Sequence, residues 1–275
     1  MKQTVKTLQE KKNRGEKITM LTAYDYTTAC LVDQAEIDTV LIGDSLGMTM
    51  LGYEDTLSVT VEDMIHHTRA VARGAKNALV IADMPFMSYQ ISTEQALINA
   101  GRLMKEGRAQ AVKLEGGAAV ADCIRAITDV GIPVVAHLGM TPQSCNAFGG
   151  FKVQGKDKEN AQRILDDARK VQEAGAFMVV LECIPALLAK KITESLTIPT
   201  IGIGAGADCD GQVLVYQDAV GMTQGHAPKF SRVFGNVGEA MTGAFADYKK
   251  AVEEGTFPAE EHTFRMDEEI VKELK

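Results

Sequence analysis

The stretch AVKLEGGAAVADCIRAITDVGIPVVAHLG, residues 111–139, holds one complete strand–helix–strand unit. Its two ends, 111–116 and 133–139, are short and nearly continuous apolar runs, as in parallel strands that are covered on both faces. The second run begins at Pro133, a position at strand entry where a missing N–H does least harm. A parallel sheet assembled from βα repeats is therefore predicted.

The same alternation of short apolar runs and longer helix-like stretches continues along the whole chain. Helix starts are marked by Thr60 with Asp63 and by Ser92, which are residue types that cap helices. Eight parallel strands with intervening helices predict an α/β protein, a single (β/α)₈ TIM barrel over residues 1–275. The predicted strands are 18–23, 39–44, 79–84, 111–116, 133–139, 177–182, 200–205 and 212–217.

Three segments depart from a regular repeat. Only the short stretch GADCDG, 206–211, separates the last two predicted strands, which is too little for a crossover helix. Long loops follow strands two and five, at 45–60 and 140–160, and such loops are typical of the active-site face of a barrel. At the termini we expect a capping helix near 5–12 and a helical tail that packs on a neighbour or frays.

Composition limits the classes of function. The net charge of −8, without a basic patch, argues against nucleic-acid binding. The polar N-terminus and the lack of a long apolar run predict a cytoplasmic protein without a membrane partner. Five cysteines without a CxxC spacing indicate neither a disulfide framework nor a zinc site.

Ionisable residues stand at the carboxyl ends of five successive predicted strands, two through six. They are Asp44, Asp83, Lys113, Glu115, His137 and Glu182. Barrel enzymes place their catalytic groups at these strand ends. A charged group directly after an apolar strand is costly to bury unless it is paired or bound to a metal. The clustering predicts an active site, although ion pairs that merely close the barrel mouth would leave the same pattern.

The acids and the lysine predict a magnesium site. Asp44, Asp83 and Glu115 offer hard oxygen ligands, with no cysteine or HxxH pattern beside them. Lys113 lies two residues from Glu115 on one strand, so both side chains face the same side. An ammonium there would hold a substrate carboxylate or a developing oxyanion.

Two further strand-end residues have less defined roles. Glu182 lies farther round the barrel, which suits a general base better than another metal ligand. His137 is either a hydrogen-bond donor behind the catalytic groups or a histidine of the barrel core, and the sequence leaves both open.

Seven motifs in order resemble the ketopantoate hydroxymethyltransferase family over residues 4–264. They include DSLGM at 44–48, ADMPFMSYQ at 82–90, AVKLEGG at 111–117, HLGMTPQ at 137–143 and VLECIP at 180–185. The resemblance implies a barrel like those of the phosphoenolpyruvate/isocitrate lyase group. It implies transfer of a hydroxymethyl group from 5,10-methylenetetrahydrofolate to 2-oxoisovalerate, giving ketopantoate for pantothenate biosynthesis.

The resemblance also implies a cofactor, an assembly and residue roles. One Mg²⁺ per subunit and a homodecamer of two pentameric rings are expected. The implied metal acids are Asp44, Asp83 and Glu115, the implied oxo-acid contacts are Asp44, Ser45, Asp83 and Lys113, and the implied proton acceptor is Glu182.

Two alternatives remain at this point. Lys113 could form a Schiff base with a 2-oxo acid, as in a metal-independent aldolase or lyase. The barrel could also be an inactive metabolite-binding or scaffold protein, although none of the expected strand-end acids is missing.

Overall fold

A closed barrel of parallel strands forms the centre of the molecule. The computed structural model describes residues 2–225 and 227–275, and within them eight strands pair in chain order, with β8 returning to β1. The predicted (β/α)₈ barrel is therefore confirmed. The strands are β1 Ile18–Thr22, β2 Thr39–Ile42, β3 Leu79–Asp83, β4 Ala111–Glu115, β5 Val134–Gly139, β6 Met178–Glu182, β7 Thr200–Ile203 and β8 Gly211–Leu214.

Helices surround the barrel and begin at the predicted caps. Thr60 and Asp63 form a reciprocal capping box, and the Ser92 side chain accepts from the Gln95 amide. The helices of the described chain are α1 Val5–Asn13, α2 Tyr26–Gln34, α3 Leu46–Thr49, α4 Val61–Gly74, α5 Thr93–Lys105, α6 Ala121–Asp129, α7 Cys145–Phe148, α8 Lys158–Glu173, α9 Ala186–Ser195, α10 Tyr216–Val220, α11 Val237–Glu253 and α12 Glu268–Glu273.

The predicted carboxyl end of the last strand, residue 217, is wrong. The apolar run VLVY suggests extension through residue 217, but β8 ends at Leu214 and Gln217 lies inside α10. The Tyr216 amide donates to Thr22 Oγ1 at 3.0 Å, so the chain turns across the end of β1 instead of continuing the sheet. As expected, no helix intervenes between β7 and β8, both of which are fully described.

Side chains that alternate along the strands fill the barrel interior. A fully buried Leu8, from α1, joins this core from below the strands. Lys11 and Lys12 of α1 pair with Asp38 and Asp210 at 2.6 and 2.7 Å, which fixes the helix across the barrel bottom. The interior cluster consists of Leu8, Ile18, Met20, Leu41, Leu79, Ile81, Ala111, Val135, Met178, Val180, Ile201 and Val213.

The carboxyl-terminal region lies apart from the barrel core. Helix α11 has no buried residue, although it carries a series of apolar side chains. In the described parts of the chain, no helix combines the length and the apolarity that crossing a membrane requires.

Candidate active site

The strand period of two directs the candidate residues into the barrel. Ile81 and Ala111 are interior residues, so Asp83, Lys113 and Glu115 at even spacing from them also point inwards. The same parity applies to His137 after Val135 and to Glu182 after Val180. Above the apolar interior, the barrel mouth therefore carries a layer of ionisable side chains.

Pairing between strands sets which of these groups meet. Asp83 is the register partner of Lys113, and Lys113 Nζ lies 2.6 Å from Asp83 Oδ1. Both side chains are 4% exposed, so this is an ion pair within the barrel rather than a surface bridge. Burial acts to lower the pKa of Lys113, but the carboxylates of Asp83, Glu115 and Asp44 outweigh it and raise that pKa. The lysine is therefore an ammonium at neutral pH.

Asp44 follows β2 and lies against Asp83. The backbone amide of Asp44 donates to Asp83 Oδ2 at 3.0 Å, which places the two acids side by side. Burial, followed by repulsion from Asp83 and Glu115, raises the pKa of Asp44 well above its usual value. Burial likewise raises the pKa of Asp83, although Lys113 opposes the shift. The positive charge near Asp44 and Asp83 is therefore too small to offset their burial and mutual repulsion.

His137 lies between two carboxylates. Its Nδ1 is 3.3 Å from Glu115 Oε1, and its Nε2 is 3.1 Å from Glu182 Oε2. Both contacts are at ion-pair distance but lack hydrogen-bond alignment. Burial and Lys113 act to lower the pKa of His137, while Glu115 and Glu182 outweigh them and raise it from 6.5 to about 9. His137 is thus both buried in the barrel and next to the candidate catalytic acids, and its role as a donor behind them stays a prediction.

Glu182 is the last residue of β6. Its side chain is 14% exposed, more than those of the acids beneath it, so it can reach a bound substrate. The next residue, Cys183, has a φ of 47°, an unusual conformation for a residue with a side chain. Burial, followed by the Glu182 charge, raises the pKa of the Cys183 thiol to about 11, which argues against a nucleophilic role.

Ser45 lies at the edge of this cluster. Its Oγ is 2.8 Å from the hydroxyl of the buried Tyr24. The structure thus brings together Asp44, Asp83, Lys113, Glu115, His137 and Glu182, with Ser45 next to Asp44 in the loop after β2.

Two buried polar residues were missed by the sequence reasoning. Gln143 Nε2 donates to Asp44 Oδ2 at 2.8 Å, and the Gln143 backbone amide donates to Glu115 Oε2 at 2.9 Å. The Tyr89 hydroxyl donates to Gln143 Oε1 at 2.7 Å and accepts from the Glu115 amide at 3.0 Å. Both residues follow a strand within a quoted motif, so a search of polar residues in the βα loops would have found them.

Acidic groups outnumber basic groups in this layer. The carboxylates are those of Asp44, Asp83, Glu115 and Glu182, and the basic groups are those of Lys113 and His137. Four acids thus face two bases, and burial together with the neighbouring acids raises the pKa of Asp44, so ionising the whole set would require further positive charge. Uncompensated charge is costly to bury, and a divalent cation would balance it. By charge and by oxygen-donor type, the residues present fit Mg²⁺.

The geometry restricts how such a cation would be held. Among residues 2–225 and 227–275, no three His, Cys, Asp or Glu side chains gather closely enough to hold a metal ion by themselves. Mg²⁺ commonly uses one or two carboxylates and fills its remaining positions with water and substrate oxygens. The adjacent Asp44 and Asp83 suit that type of site. The assignment of all three acids, including Glu115, as metal ligands stays a prediction.

Comparison with known proteins identifies the family. The model of the ketopantoate hydroxymethyltransferase family matches residues 2–260. The chain belongs to this family. A Clostridium novyi protein named 3-methyl-2-oxobutanoate hydroxymethyltransferase is 64% identical over 274 residues, with 100% of each chain covered. A protein of the same name from Enterococcus faecalis is 60% identical, again over 100% of each chain. The predicted family and enzyme class are confirmed.

Solved structures support the fold at low sequence identity. Phosphonopyruvate hydrolase matches with a TM-score of 0.61 at 14% identity, covering 98% of this chain and 94% of the other. A 2,3-dimethylmalate lyase, described as a PEP mutase/isocitrate lyase superfamily member, matches with a TM-score of 0.57 at 15% identity, covering 99% and 98%. The predicted relationship to phosphoenolpyruvate/isocitrate lyase-like barrels is confirmed at the level of fold.

Proposed function

We propose that this hydroxymethyltransferase transfers a one-carbon unit from 5,10-methylenetetrahydrofolate to 2-oxoisovalerate (3-methyl-2-oxobutanoate), giving ketopantoate, with one Mg²⁺ per subunit. The observation that carries the proposal is the layer at the carboxyl ends of the strands in which an ammonium and several carboxylates lie together, with Glu182 its more exposed acid. Such a layer can bind an anionic oxo acid and remove a proton beside its oxo group.

The groups at the carboxyl ends of β2, β3 and β4 would bind the oxo acid. Asp44 and Asp83 would hold Mg²⁺, with Glu115 behind them, and the bound cation would supply Lewis-acid polarisation of the oxo group. Lys113 is fixed by its 2.6 Å contact with Asp83, so its charge is already placed for a substrate oxygen. Ser45, beside Asp44, would contribute a hydroxyl contact.

Glu182 acts as the base. It removes the proton from C3 of the oxo acid, and the electron pair of the broken C–H bond becomes the enolate. Water opens the methylene bridge of the folate: both C–N bonds break, tetrahydrofolate leaves with the two protons of that water, and the carbon remains as formaldehyde. The enolate carbon forms the C–C bond to this carbon as its C=O π bond opens, and the new alkoxide takes the proton from Glu182. His137, 3.1 Å from Glu182, holds the carboxylate in place before the proton moves.

The Schiff-base alternative has less support. A nucleophilic lysine must lose its proton, and a lowered pKa normally enables this. Here the surrounding acids raise the pKa of Lys113 and one of them pairs with it directly. A charge-stabilising ammonium therefore accounts for these contacts better than a nucleophilic amine does.

Proton exchange at C3 tests the base and the metal without the folate. In D₂O, the parent protein with Mg²⁺ should replace the C3 proton of 2-oxoisovalerate by deuterium, as followed by NMR. Glu182→Gln and added EDTA should each abolish the exchange. Glu194→Gln, at an exposed position of α9, should leave the exchange unchanged. Exchange that persists in Glu182→Gln would refute the assignment of the base.

We further propose that the protein is a homo-oligomer, a decamer by resemblance. Support comes from α11, on which Met241, Phe245, Tyr248 and Val252 recur at spacings of three and four residues and are all at least 40% exposed. Isolated helices of this length are marginal in water, so such a helix normally needs a partner surface. The cytoplasmic location remains a prediction from composition.

A further inference from the structure

Gln143 holds a central position in the barrel mouth that neither the family motifs nor the proposed reaction assigns a role. It lies in the 3₁₀ turn Pro142–Ser144, at the start of the long loop after β5, and is 6% exposed. From there its side chain crosses the mouth to groups that follow β2 and β3. One residue of a long loop therefore reaches the acids proposed to hold the cation.

The hydrogen bonds of Gln143 fix the orientation of its amide. Nε2 donates to Asp44 Oδ2 at 2.8 Å and to the Met84 carbonyl at 3.0 Å. Oε1 accepts from the Tyr89 hydroxyl at 2.7 Å and from Gln90 Nε2 at 3.2 Å. Both amide hydrogens face acceptors, and the amide oxygen faces donors. Rotation of the amide would place Oε1 against the Asp44 carboxylate and the Met84 carbonyl, so these two acceptors specify the orientation.

Gln143 also contacts Glu115, through its backbone. Its amide N–H donates to Glu115 Oε2 at 2.9 Å, and Tyr89 supports the same strand by accepting from the Glu115 amide at 3.0 Å. Within the described parts of the chain no protein donor binds Asp44 Oδ1, so that oxygen is left for another ligand. The turn that carries Gln143 thus donates one hydrogen bond to a carboxylate oxygen of Asp44 and one to a carboxylate oxygen of Glu115.

We propose that Gln143 is a positioning residue that couples divalent-cation binding at the Asp44 and Asp83 carboxylates to docking of the loop 140–156. The inference rests on the proposed function in that it takes Mg²⁺ as the cation. Since Gln143 orients Asp44, its loss weakens cation binding. Because the coupling is reciprocal, bound cation stabilises the docked loop through the same amide.

Two measurements on the substrate-free protein test the coupling. Calorimetric titration with Mg²⁺ should give about 10- to 100-fold weaker binding for Gln143→Ala than for the parent, the range that partners of metal ligands usually show. Tyr89→Phe keeps the buried ring but removes the hydroxyl on Gln143 Oε1, and it should shift the affinity in the same direction. Gln154→Ala, in the same loop but bonded only to the Lys152 carbonyl through its side chain, should bind Mg²⁺ like the parent.

Hydrogen exchange separates coupling from simple structural support. In the parent, Mg²⁺ should slow exchange of the amides of 140–156, and in Gln143→Ala this response to Mg²⁺ should disappear. A purely structural role would change exchange equally with and without Mg²⁺. Parent-like Mg²⁺ affinity in both Gln143→Ala and Tyr89→Phe, or an unchanged exchange response, overturns the inference even if the parent makes ketopantoate. If the parent makes no ketopantoate yet shows both effects, the proposed function fails and the coupling stands.

Discussion

At the scale of single residues, the decisive feature is that one barrel layer holds groups whose charges depend on one another. The surrounding acids raise the pKa of Lys113, and burial followed by repulsion from neighbouring acids raises the pKa of Asp44. The identities and inward direction of these residues follow from strand position and the period of two. Their contacts do not, because the register that pairs Asp83 with Lys113 and Glu115 with His137 comes from barrel closure.

Glu182→Gln should lower kcat for hydroxymethyl transfer by about 10²- to 10⁴-fold, the usual contribution of a general base. The amide keeps the shape of the side chain but cannot accept the C3 proton. The circular dichroism spectrum should match that of the parent, which shows that the loss of activity does not come from unfolding. A kcat within a few-fold of the parent value would exclude Glu182 as the base.

The raised pKa of His137 predicts a pH-dependent stability. A group whose pKa is higher in the folded than in the unfolded state stabilises the fold fully below the unfolded value, 6.5, and loses that effect as the pH rises through about 9. With EDTA present, the free energy of unfolding of the parent should fall by up to about 3 kcal/mol more than that of His137→Gln between pH 6 and pH 9.5. Parallel pH profiles for the two proteins would show that His137 is not held protonated by its neighbours.

At the scale of elements, the site depends on how closely β5 and β6 approach at their carboxyl ends. Gly139 has a φ of 97°, and a Cβ there would lie 2.2 Å from the Glu182 carbonyl oxygen. The sequence shows this glycine at the strand end but cannot reveal what it meets, because the neighbouring strand lies some forty residues further on in the chain. The unexpected turn from β8 into α10 has a similar cause, a hydrogen bond to Thr22 on a strand far away in the sequence.

Gly139→Ala should lower the free energy of unfolding by about 2–4 kcal/mol, because alanine combines backbone strain with a clash against Glu182. Hydroxymethyl transfer should fall as well, since the base is displaced. Gly101→Ala provides the matched change at a half-buried position in α5, where a Cβ meets nothing within 4 Å, and should raise stability by about 0.5–1 kcal/mol. Equal effects of the two substitutions in urea unfolding would contradict this account of Gly139.

At the scale of the whole molecule, the barrel was predictable because each strand carries its own apolar signal and helices such as α4 and α5 carry clear capping residues. The contacts of Gln143 were not predictable from the sequence, because they depend on a loop conformation that brings this residue to the ends of three different strands. The position of α11 could not be predicted either. Its apolar series would equally suit a helix that packs on the barrel of its own chain, whereas α11 buries no residue there.

If α11 binds another copy of the chain, a charge in its apolar series should break the assembly. Phe245→Glu should lower the mass found by sedimentation equilibrium. Position 245 is exposed in the single chain, so a carboxylate there would lose its water only when two copies associate. Ala246→Glu introduces the same group on another side of α11, at no spacing of three or four from the apolar series, and should leave the mass unchanged. An unaltered mass for Phe245→Glu would show that this face of α11 does not hold the oligomer together.

The central claim, that Glu182 and a divalent cation act together in hydroxymethyl transfer, is tested most directly by following ketopantoate formation. Parent, Glu182→Gln and Glu194→Gln proteins would each receive 2-oxoisovalerate and 5,10-methylenetetrahydrofolate, with Mg²⁺ or with EDTA. We predict product only from the parent and Glu194→Gln, and only with Mg²⁺. Ketopantoate formed at the parent rate in EDTA, or by Glu182→Gln, would contradict the account.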